Sequence, residues 1–116
     1  MLRDNAKVSV FDSGFLLGDG IWEGLRLNKK KWVFFEDHIK RLFEALKLVE
    51  IKFELSKDQI LQELEKTRLS NDMHTDVYAR FMVTRGKKSK PFQHPEFSVY
   101  GPTYVIIMEH SKPDLK

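Results

Sequence analysis

One short segment limits the fold of this chain more than any other, because apolar residues alternate in it with mostly polar ones. Side chains on a β-strand point alternately to the two faces of a sheet. The segment 76–84 therefore predicts a long strand with one wholly apolar face that packs against helices. The apolar face consists of Val77, Ala79, Phe81 and Val83, and the opposite face of Tyr78, Arg80, Met82 and Thr84.

Two segments have the spacing of helices that are buried along one side. The first carries its apolar stripe at Ile39, Leu42, Phe43, Leu46 and Val49. The second begins with the capping-box pattern of Ser56 and Gln59 and ends near residues 70–72. Further strands are predicted at 7–10, 21–27, 31–35 and 103–109, with a hairpin turn at 28–30, a glycine-rich loop at 11–20 and an irregular segment at 85–102.

Three strands, two helices and two strands follow one another in this order. Grouped helices and a hairpin predict an α+β fold of two layers, with a mostly antiparallel sheet and two helices packed on one of its faces. The 116 residues suffice for one domain. With no cysteine in the chain, disulfides and thiolate metal sites are excluded.

Charge and histidine spacing argue against several classes of function. The formal net charge of +3 arises after residue 84, in part from Arg85, Lys87, Lys88 and Lys90. We interpret this stretch as a solvated loop rather than a nucleic-acid surface. The four histidines show no metal-ligand spacing, so no metal site is expected. Apolar runs are too short for a membrane span, and residues 1–7 lack a signal core, so a cytoplasmic protein is expected.

Polar residues on the predicted strands are the candidates for chemistry. Alternation places Trp22, Gly24 and Arg26 on one face of their strand, and Tyr78 and Arg80 on one face of another. Guanidinium groups suit carboxylate and phosphate oxygens. Taken alone, however, the alternation favours a solvated sheet face with long side chains. His38 and Arg41, three residues apart on a helix, are on the same grounds a surface pair.

Three separated segments, taken together, resemble a known family. They are FDSGFLLGDGIWEGLR at 11–26, DHIKRL at 37–42 and YARFMVTRG at 78–86. In order and spacing they are similar to the class IV (fold type IV) aminotransferases, which use pyridoxal 5'-phosphate. This family includes branched-chain aminotransferases, D-amino acid aminotransferases and aminodeoxychorismate lyases.

The resemblance implies that the chain is only part of an enzyme. Residues 1–109 would be the N-terminal small domain and residues 110–116 the start of the interdomain linker, with the C-terminal catalytic domain absent. No lysine here matches the family's Schiff-base lysine, so the chain is expected to hold no catalytic residue and to be inactive alone. Family members are usually homodimers, and a homodimer is the expected partner state.

The family motifs also assign roles to individual residues. They imply that Arg41 binds the 5'-phosphate of pyridoxal phosphate and that five residues bind substrate, namely Trp22, Gly24, Arg26, Tyr78 and Arg80. Gly24 would leave room for a substrate side chain and Arg26 would hold a carboxylate. The family commonly has phenylalanine or tyrosine where this chain has Trp22, which affects pocket size. These roles require all six side chains to converge on one concave wall.

The implied function is transfer of an amino group between an amino acid, branched-chain or similar, and a 2-oxo acid. The Glu-Gly-x-Arg motif at residues 23–26 of this chain is closer to that of the branched-chain members than to that of the D-amino acid members. Two alternatives stay open: an aminodeoxychorismate lyase of the same fold, and a stand-alone module without catalysis.

The surface that meets the absent domain should be apolar and arginine-rich around Trp22 and Tyr78, with a tendency to self-associate.

Overall fold

The computed structural model describes residues 2–91 and 100–112, which form a four-stranded sheet with two long helices on one face. All neighbouring strands are antiparallel, in the order β2-β1-β3-β4. This confirms the predicted two-layer α+β fold. The elements are a 3-10 helix Arg3–Asn5, α1 Ser13–Leu17, β1 Gly20–Asn28, β2 Lys31–Trp32, α2 Phe35–Leu48, α3 Lys57–Ser70, β3 Val77–Thr84 and β4 Thr103–His110.

The alternation in β3 determines which face of the sheet is buried. The side chains of Val77, Ala79, Phe81 and Val83 are fully buried against the helices. We call this side of the sheet the helix face and the other side the open face. Strand β1 pairs with β3 so that Gly24 lies opposite Arg80 and Arg26 opposite Tyr78. The predicted grouping of residues by face is therefore confirmed in both strands.

Both helices form for reasons that are visible in the sequence. Helix α2 carries Glu36 and Asp37 in its first turn, where negative charge suits the helix dipole, and it buries Ile39, Leu42 and Leu46. Helix α3 begins with the predicted capping box. The Ser56 hydroxyl accepts a hydrogen bond from the Gln59 amide, and the Gln59 side chain accepts one from the Ser56 amide.

The hairpin between β1 and β2 is confirmed, but its second strand is shorter than predicted. Lys29 and Lys30 have φ of 51° and 64°, the left-handed values of a two-residue hairpin turn. Strand β2 then ends at Trp32 instead of continuing to residue 35. Phe34 has φ of 52°, which breaks the extended backbone and directs the chain into α2.

The segment before β1 also departs from the prediction. Residues 7–10 form no strand, and the predicted loop 11–20 contains the short helix α1. The Asp12 carboxylate caps this helix by accepting a hydrogen bond from the Gly14 amide at 2.8 Å. Gly18 ends it with φ of 65°. Residues 92–99 of the predicted irregular segment and 113–116 of the predicted linker lie outside the described residues.

Candidate functional site

Five of the six candidate residues lie together on the open face. Trp22, Gly24 and Arg26 project there from β1, and Tyr78 and Arg80 from β3. The two strands are direct neighbours, so the five residues form one contiguous surface. On this surface Trp22 is 53% exposed, and Ile107 of β4 adds an exposed apolar side chain.

Trp22 and Arg80 make the closest contact on this surface between an aromatic ring and a charge. The Arg80 guanidinium carbon lies 4.1 Å from the centre of the Trp22 ring. A guanidinium over the face of an aromatic ring keeps N–H groups available to an anion. Arg80 forms no hydrogen bond or ion pair with other residues in the described ranges. It is therefore a cation that is held in place without being neutralised.

Gly24 allows Tyr78 to lie across the middle of β1. A Cβ atom at Gly24 would be 2.5 Å from the Tyr78 hydroxyl and 3.0 Å from its ring carbon Cε2. The space that the glycine leaves is thus occupied by Tyr78. A group that approaches the open face at this point meets the tyrosine ring and hydroxyl.

Arg26 forms a hydrogen bond to the backbone immediately after the end of β4. Its Nη1 donates a hydrogen bond to the backbone carbonyl of Ser111, and the Ser111 amide donates to the Asp76 carbonyl at 2.6 Å. Ser111 lies directly after β4, in the segment predicted as the start of a linker. At least one donor of Arg26 is therefore engaged by its own chain, where the family resemblance implied contact with a substrate carboxylate.

Arg41 does not join the other five residues, so the expected convergence on one wall is wrong for this residue. It lies on α2, which packs on the helix face. Its side chain binds Glu23, with Nε 2.9 Å from Oε2 and Nη2 2.6 Å from Oε1. Glu23 points to the helix face because it alternates along β1 with Trp22 and Gly24. The Arg41 guanidinium is therefore on the opposite side of the sheet from the Tyr78 ring.

The open face and the helix face come close to each other at the edge of the sheet formed by the first part of β1. Strand β2 pairs with β1 only at Leu27 and Asn28, and the Val33 amide adds a hydrogen bond to the Arg26 carbonyl. Along residues 20–25, β1 has no second strand neighbour within the part of the chain that the structure describes. Trp22 on one side and Glu23 with Arg41 on the other are separated by this single strand. A ligand that touches both sides would have to pass around this edge.

Glu23 and His38 belong to the site but were not singled out as functional from the sequence. Glu23 is only 6% exposed, and the His38 Nδ1 lies 2.8 Å from its Oε1. Burial by itself raises the pKa of Glu23, but hydrogen bonds from Arg41 and His38, and their charges, outweigh it and lower the pKa. The available signals were the Glu-Gly-x-Arg motif, which puts Glu23 on the same face of its strand as Leu25, and the DHIKRL segment, which contains His38.

Two of the four basic residues near the end of β3 are held by the domain instead of lying in a solvated loop, in contrast to the prediction. Arg85 binds Asp19, with Nε 2.6 Å from Oδ2, and donates to the carbonyls of Val49 and Glu50. Lys88 is 1% exposed. Arg85 thereby ties the loop before β1 to the end of α2, and the two residues are part of the structure of the domain.

Two other kinds of feature are missing from the described part of the chain. Among residues 2–91 and 100–112, no group of three His, Asp or Glu side chains is placed so that it could hold a metal ion. In the same ranges, no helix has the length and apolar character needed to cross a membrane.

Comparisons with known proteins show the family. Residues 20–114 match the family model described as "Amino-transferase class IV". The chain is 35% identical over 111 residues to "Branched-chain-amino-acid aminotransferase-like protein 1" of Arabidopsis thaliana, a match that covers 96% of this chain and 20% of the relative. It is 32% identical over 115 residues to "Aminodeoxychorismate lyase" of Bacillus subtilis, covering 98% of this chain and 39% of the relative.

A solved structure has the same fold. The branched-chain amino acid aminotransferase of Escherichia coli superimposes with a TM-score of 0.77 at 19% identity, over 94% of this chain and 36% of that one. This chain thus spans well under half of the length of the proteins it matches. By the match of residues 20–114 to the family model, it belongs to the class IV aminotransferases.

Proposed function

We propose that this chain is the N-terminal domain of a pyridoxal-phosphate-dependent aminotransferase that moves an amino group between an amino acid, branched-chain or similar, and a 2-oxo acid. The observation that carries the proposal is the surface of Trp22, Gly24, Tyr78 and Arg80, whose residues lie on family motifs and share the open face. The similarity to a branched-chain aminotransferase-like relative over 96% of the chain supports the substrate class.

The donor groups of the chain fit the phosphate of the cofactor. The Arg41 side chain is 67% exposed although Glu23 binds one edge of its guanidinium. Its Nη1 forms no hydrogen bond to other residues in the described ranges. A planar, charged donor that is exposed on one side suits phosphate oxygens. Pyridoxal phosphate would supply the electron sink for bond cleavage at the substrate α-carbon.

The tasks of this chain's own residues are binding and orientation. In the proposal, Arg80 pairs with a substrate carboxylate while Trp22 fixes its guanidinium from below. Tyr78 provides an apolar ring for the substrate side chain and a hydroxyl that accepts or donates a hydrogen bond. Holding the substrate in one orientation is a large part of how enzymes lower a reaction barrier.

The rest of the proposal concerns the complete protein. The chain alone is predicted to be inactive because none of its lysines matches the family's lysine motif. The domain boundaries at 1–109 and 110–116, a complementary C-terminal domain, a homodimer and a cytoplasmic location stay predictions. So does self-association through the exposed face around Trp22.

The test uses the complete protein encoded by the reading frame that contains this chain. With pyridoxal phosphate, a branched-chain amino acid and 2-oxoglutarate, we expect formation of glutamate. Arg80→Gln should raise KM for the substrate whose carboxylate it binds, by about tenfold or more, since a charged hydrogen bond is lost. Arg3→Gln is the matched control, because Arg3 forms only an exposed ion pair with Glu109. Absence of amino transfer from every branched-chain donor would contradict the proposal.

A second candidate has its own support. The match to the Bacillus subtilis lyase covers 98% of this chain at 32% identity. Aminodeoxychorismate lyase activity of the complete protein would be seen as release of pyruvate from aminodeoxychorismate without an amino acceptor. A reading frame that stops at Lys116 and a protein without either activity would favour the third alternative, a module without catalysis.

A further inference from the structure

On the helix face of β1, the buried carboxylate of Glu23 binds the exposed guanidinium of Arg41. This part of β1 is the edge along which the strand has no second neighbour among the described residues. Glu23 is 6% exposed, whereas the Arg41 side chain that it binds is 67% exposed. Burying a charge costs free energy unless hydrogen bonds and an opposite charge offset this cost. Leu25 and Leu27 occupy the same face of β1, so an apolar residue would fit the position by pattern. Because an apolar residue would fill this position without that cost, stability alone does not explain an acid here.

The geometry of the pair leaves one side of the arginine unused. Glu23 accepts from Nε at 2.9 Å and from Nη2 at 2.6 Å, so both carboxylate oxygens bind the same edge of the guanidinium. Two parallel bonds of this kind fix the plane and the direction of the fork. The remaining edge, at Nη1, faces away from Glu23. It carries two N–H groups in fixed positions.

His38 completes the arrangement around the carboxylate. Its Nδ1 is 2.8 Å from Oε1 of Glu23 and 3.4 Å from Nη2 of Arg41. We assign the proton to Nδ1, because a carboxylate requires a donor there. The contact with Arg41 is then a close approach of two donors, not a hydrogen bond. His38 and Arg41 lie three residues apart on α2, so one turn of helix aims both at Glu23.

We infer that Glu23, supported by His38, is a positioning residue that holds Arg41 so that its Nη1 edge is presented to a phosphate monoester. This rests on the proposed function, in which the monoester is that of pyridoxal phosphate. A free arginine side chain would lose rotamer freedom upon binding, and holding it beforehand removes that cost. The negative charge of Glu23 also offsets part of the attraction between Arg41 and a phosphate, but the gain from a fixed guanidinium outweighs this loss.

The experiment measures cofactor binding to the complete protein in the absence of substrate. Apo protein is titrated with pyridoxal 5'-phosphate and, separately, with pyridoxal, which lacks the phosphate. In Glu23→Gln the side-chain amide cannot accept both bonds from Arg41. We expect the affinity of this variant for pyridoxal 5'-phosphate to fall about tenfold, and its affinity for pyridoxal to stay within twofold of that of the unaltered protein.

Two further variants separate position from charge. Glu23→Asp keeps the charge but withdraws the carboxylate by one methylene, so a positioning role predicts a loss of phosphate affinity here as well. Glu109→Gln, which removes the exposed carboxylate that pairs with Arg3, is the matched control and should bind both ligands unchanged. Unchanged pyridoxal binding also reports that each variant is folded.

Several results would overturn the inference. One is a Glu23→Gln variant that binds pyridoxal 5'-phosphate as tightly as the unaltered protein or more tightly. Another is an equal loss for both ligands in a variant whose circular dichroism spectrum matches that of the unaltered protein and therefore shows it to be folded, and a third is a Glu23→Asp variant that behaves as the unaltered protein does. Failure of the proposed function is a different observation, since it appears as absent turnover while the phosphate-specific effect of Glu23 persists.

Discussion

Arg80 of β3 places its guanidinium 4.1 Å from the centre of the Trp22 ring of β1. The two residues are diagonal neighbours, since Trp22 lies opposite Met82 and Arg80 lies opposite Gly24. The diagonal between strands is within reach of aromatic and long side chains. The position of the cation thus depends on the size of the aromatic ring, and tryptophan provides the largest face for such a contact.

Replacing Arg80 tests this contact in the chain itself. We expect Arg80→Met to lower the free energy of unfolding by about 0.5–1 kcal/mol, the usual contribution of a cation–π pair that is partly exposed. The emission of Trp22 should change as well. Urea unfolding followed by tryptophan fluorescence measures both, in a Trp32→Phe background where Trp22 is the one remaining tryptophan. Arg3→Met, which removes an exposed ion pair, should change neither, and an equal effect of the two variants would contradict the contact.

Gly24→Ala should move Tyr78 without unfolding the domain. The new Cβ would be 2.5 Å from the tyrosine hydroxyl, so the ring has to shift, and it can do so because the contact is at the far end of a side chain. We expect a loss of stability below about 1 kcal/mol and a changed chemical shift of the Tyr78 ring in NMR spectra. In a Tyr78→Phe background the same alanine should cost less. If it costs more, the clash lies elsewhere.

The two faces of the sheet were predictable, and the side on which Arg41 lies was not. Alternation in β1 and β3 assigns each residue to a face from neighbouring residues alone, so Trp22 and Tyr78 were grouped correctly. The family motif implies that Arg41 binds the cofactor phosphate, but it does not imply on which side of the sheet the Arg41 side chain lies. That position depends on how α2 packs against β1, which is a contact between residues distant in sequence.

Backbone angles account for the other differences. Phe34 has a left-handed φ that is uncommon for an aromatic residue, so nothing in its sequence context predicted that β2 ends at Trp32. The helix α1 is held by the Asp12 side chain and by Gly18, within a stretch whose glycines indicated only a loop. The sequence does not predict the burial of Glu23, because an acid on a strand is usually solvated. Its burial required the partners on α2.

Arg85 is expected to matter for stability although it lies outside the proposed site. It binds the Asp19 carboxylate and the carbonyls of Val49 and Glu50, and lysine cannot make this set of contacts. Arg85→Lys should lower the free energy of unfolding by about 1.5–3 kcal/mol, the range for hydrogen bonds to charged groups. Thermal unfolding measures this. Arg3→Lys is the control, and its melting temperature should stay unchanged.

Stability should fall at acidic pH in part because of Glu23. Its partners lower the pKa of this carboxyl from the ordinary value of 4.5, so the folded state favours the charged form. Below that value the unfolded chain takes up the proton first, and the stabilisation is lost as the pH falls through the lower pKa of the folded state. Glu23→Gln should therefore lose less stability between pH 7 and about pH 3 than the unaltered chain does.

The control for this pH dependence is Glu36→Gln, which removes an exposed carboxylate paired with Lys57. Denaturation by urea at a series of pH values gives the free energy of unfolding of each variant as the pH falls, which we call its acid limb. A Glu36→Gln chain should follow the unaltered chain closely. Identical acid limbs for Glu23→Gln and the unaltered chain would show that Glu23 is not a carboxylate stabilised by folding.

Two glycines in left-handed conformations should differ sharply in their tolerance of alanine. A Cβ atom at Gly86, where φ is 104°, would overlap the carbonyl oxygen of Gly101, and this backbone cannot move away without disturbing the start of β4. We expect Gly86→Ala to cost about 3 kcal/mol or more, because a backbone clash adds to the strained φ. Gly101 has φ of 76°, and no atom of the described residues beyond its chain neighbours lies within 4 Å of a Cβ atom at this position, so Gly101→Ala should cost only about 1–2 kcal/mol for the left-handed backbone. Urea unfolding midpoints of the two variants give the comparison, and equal losses would mean that the strained backbone alone, without the contact between these two glycines, determines the cost.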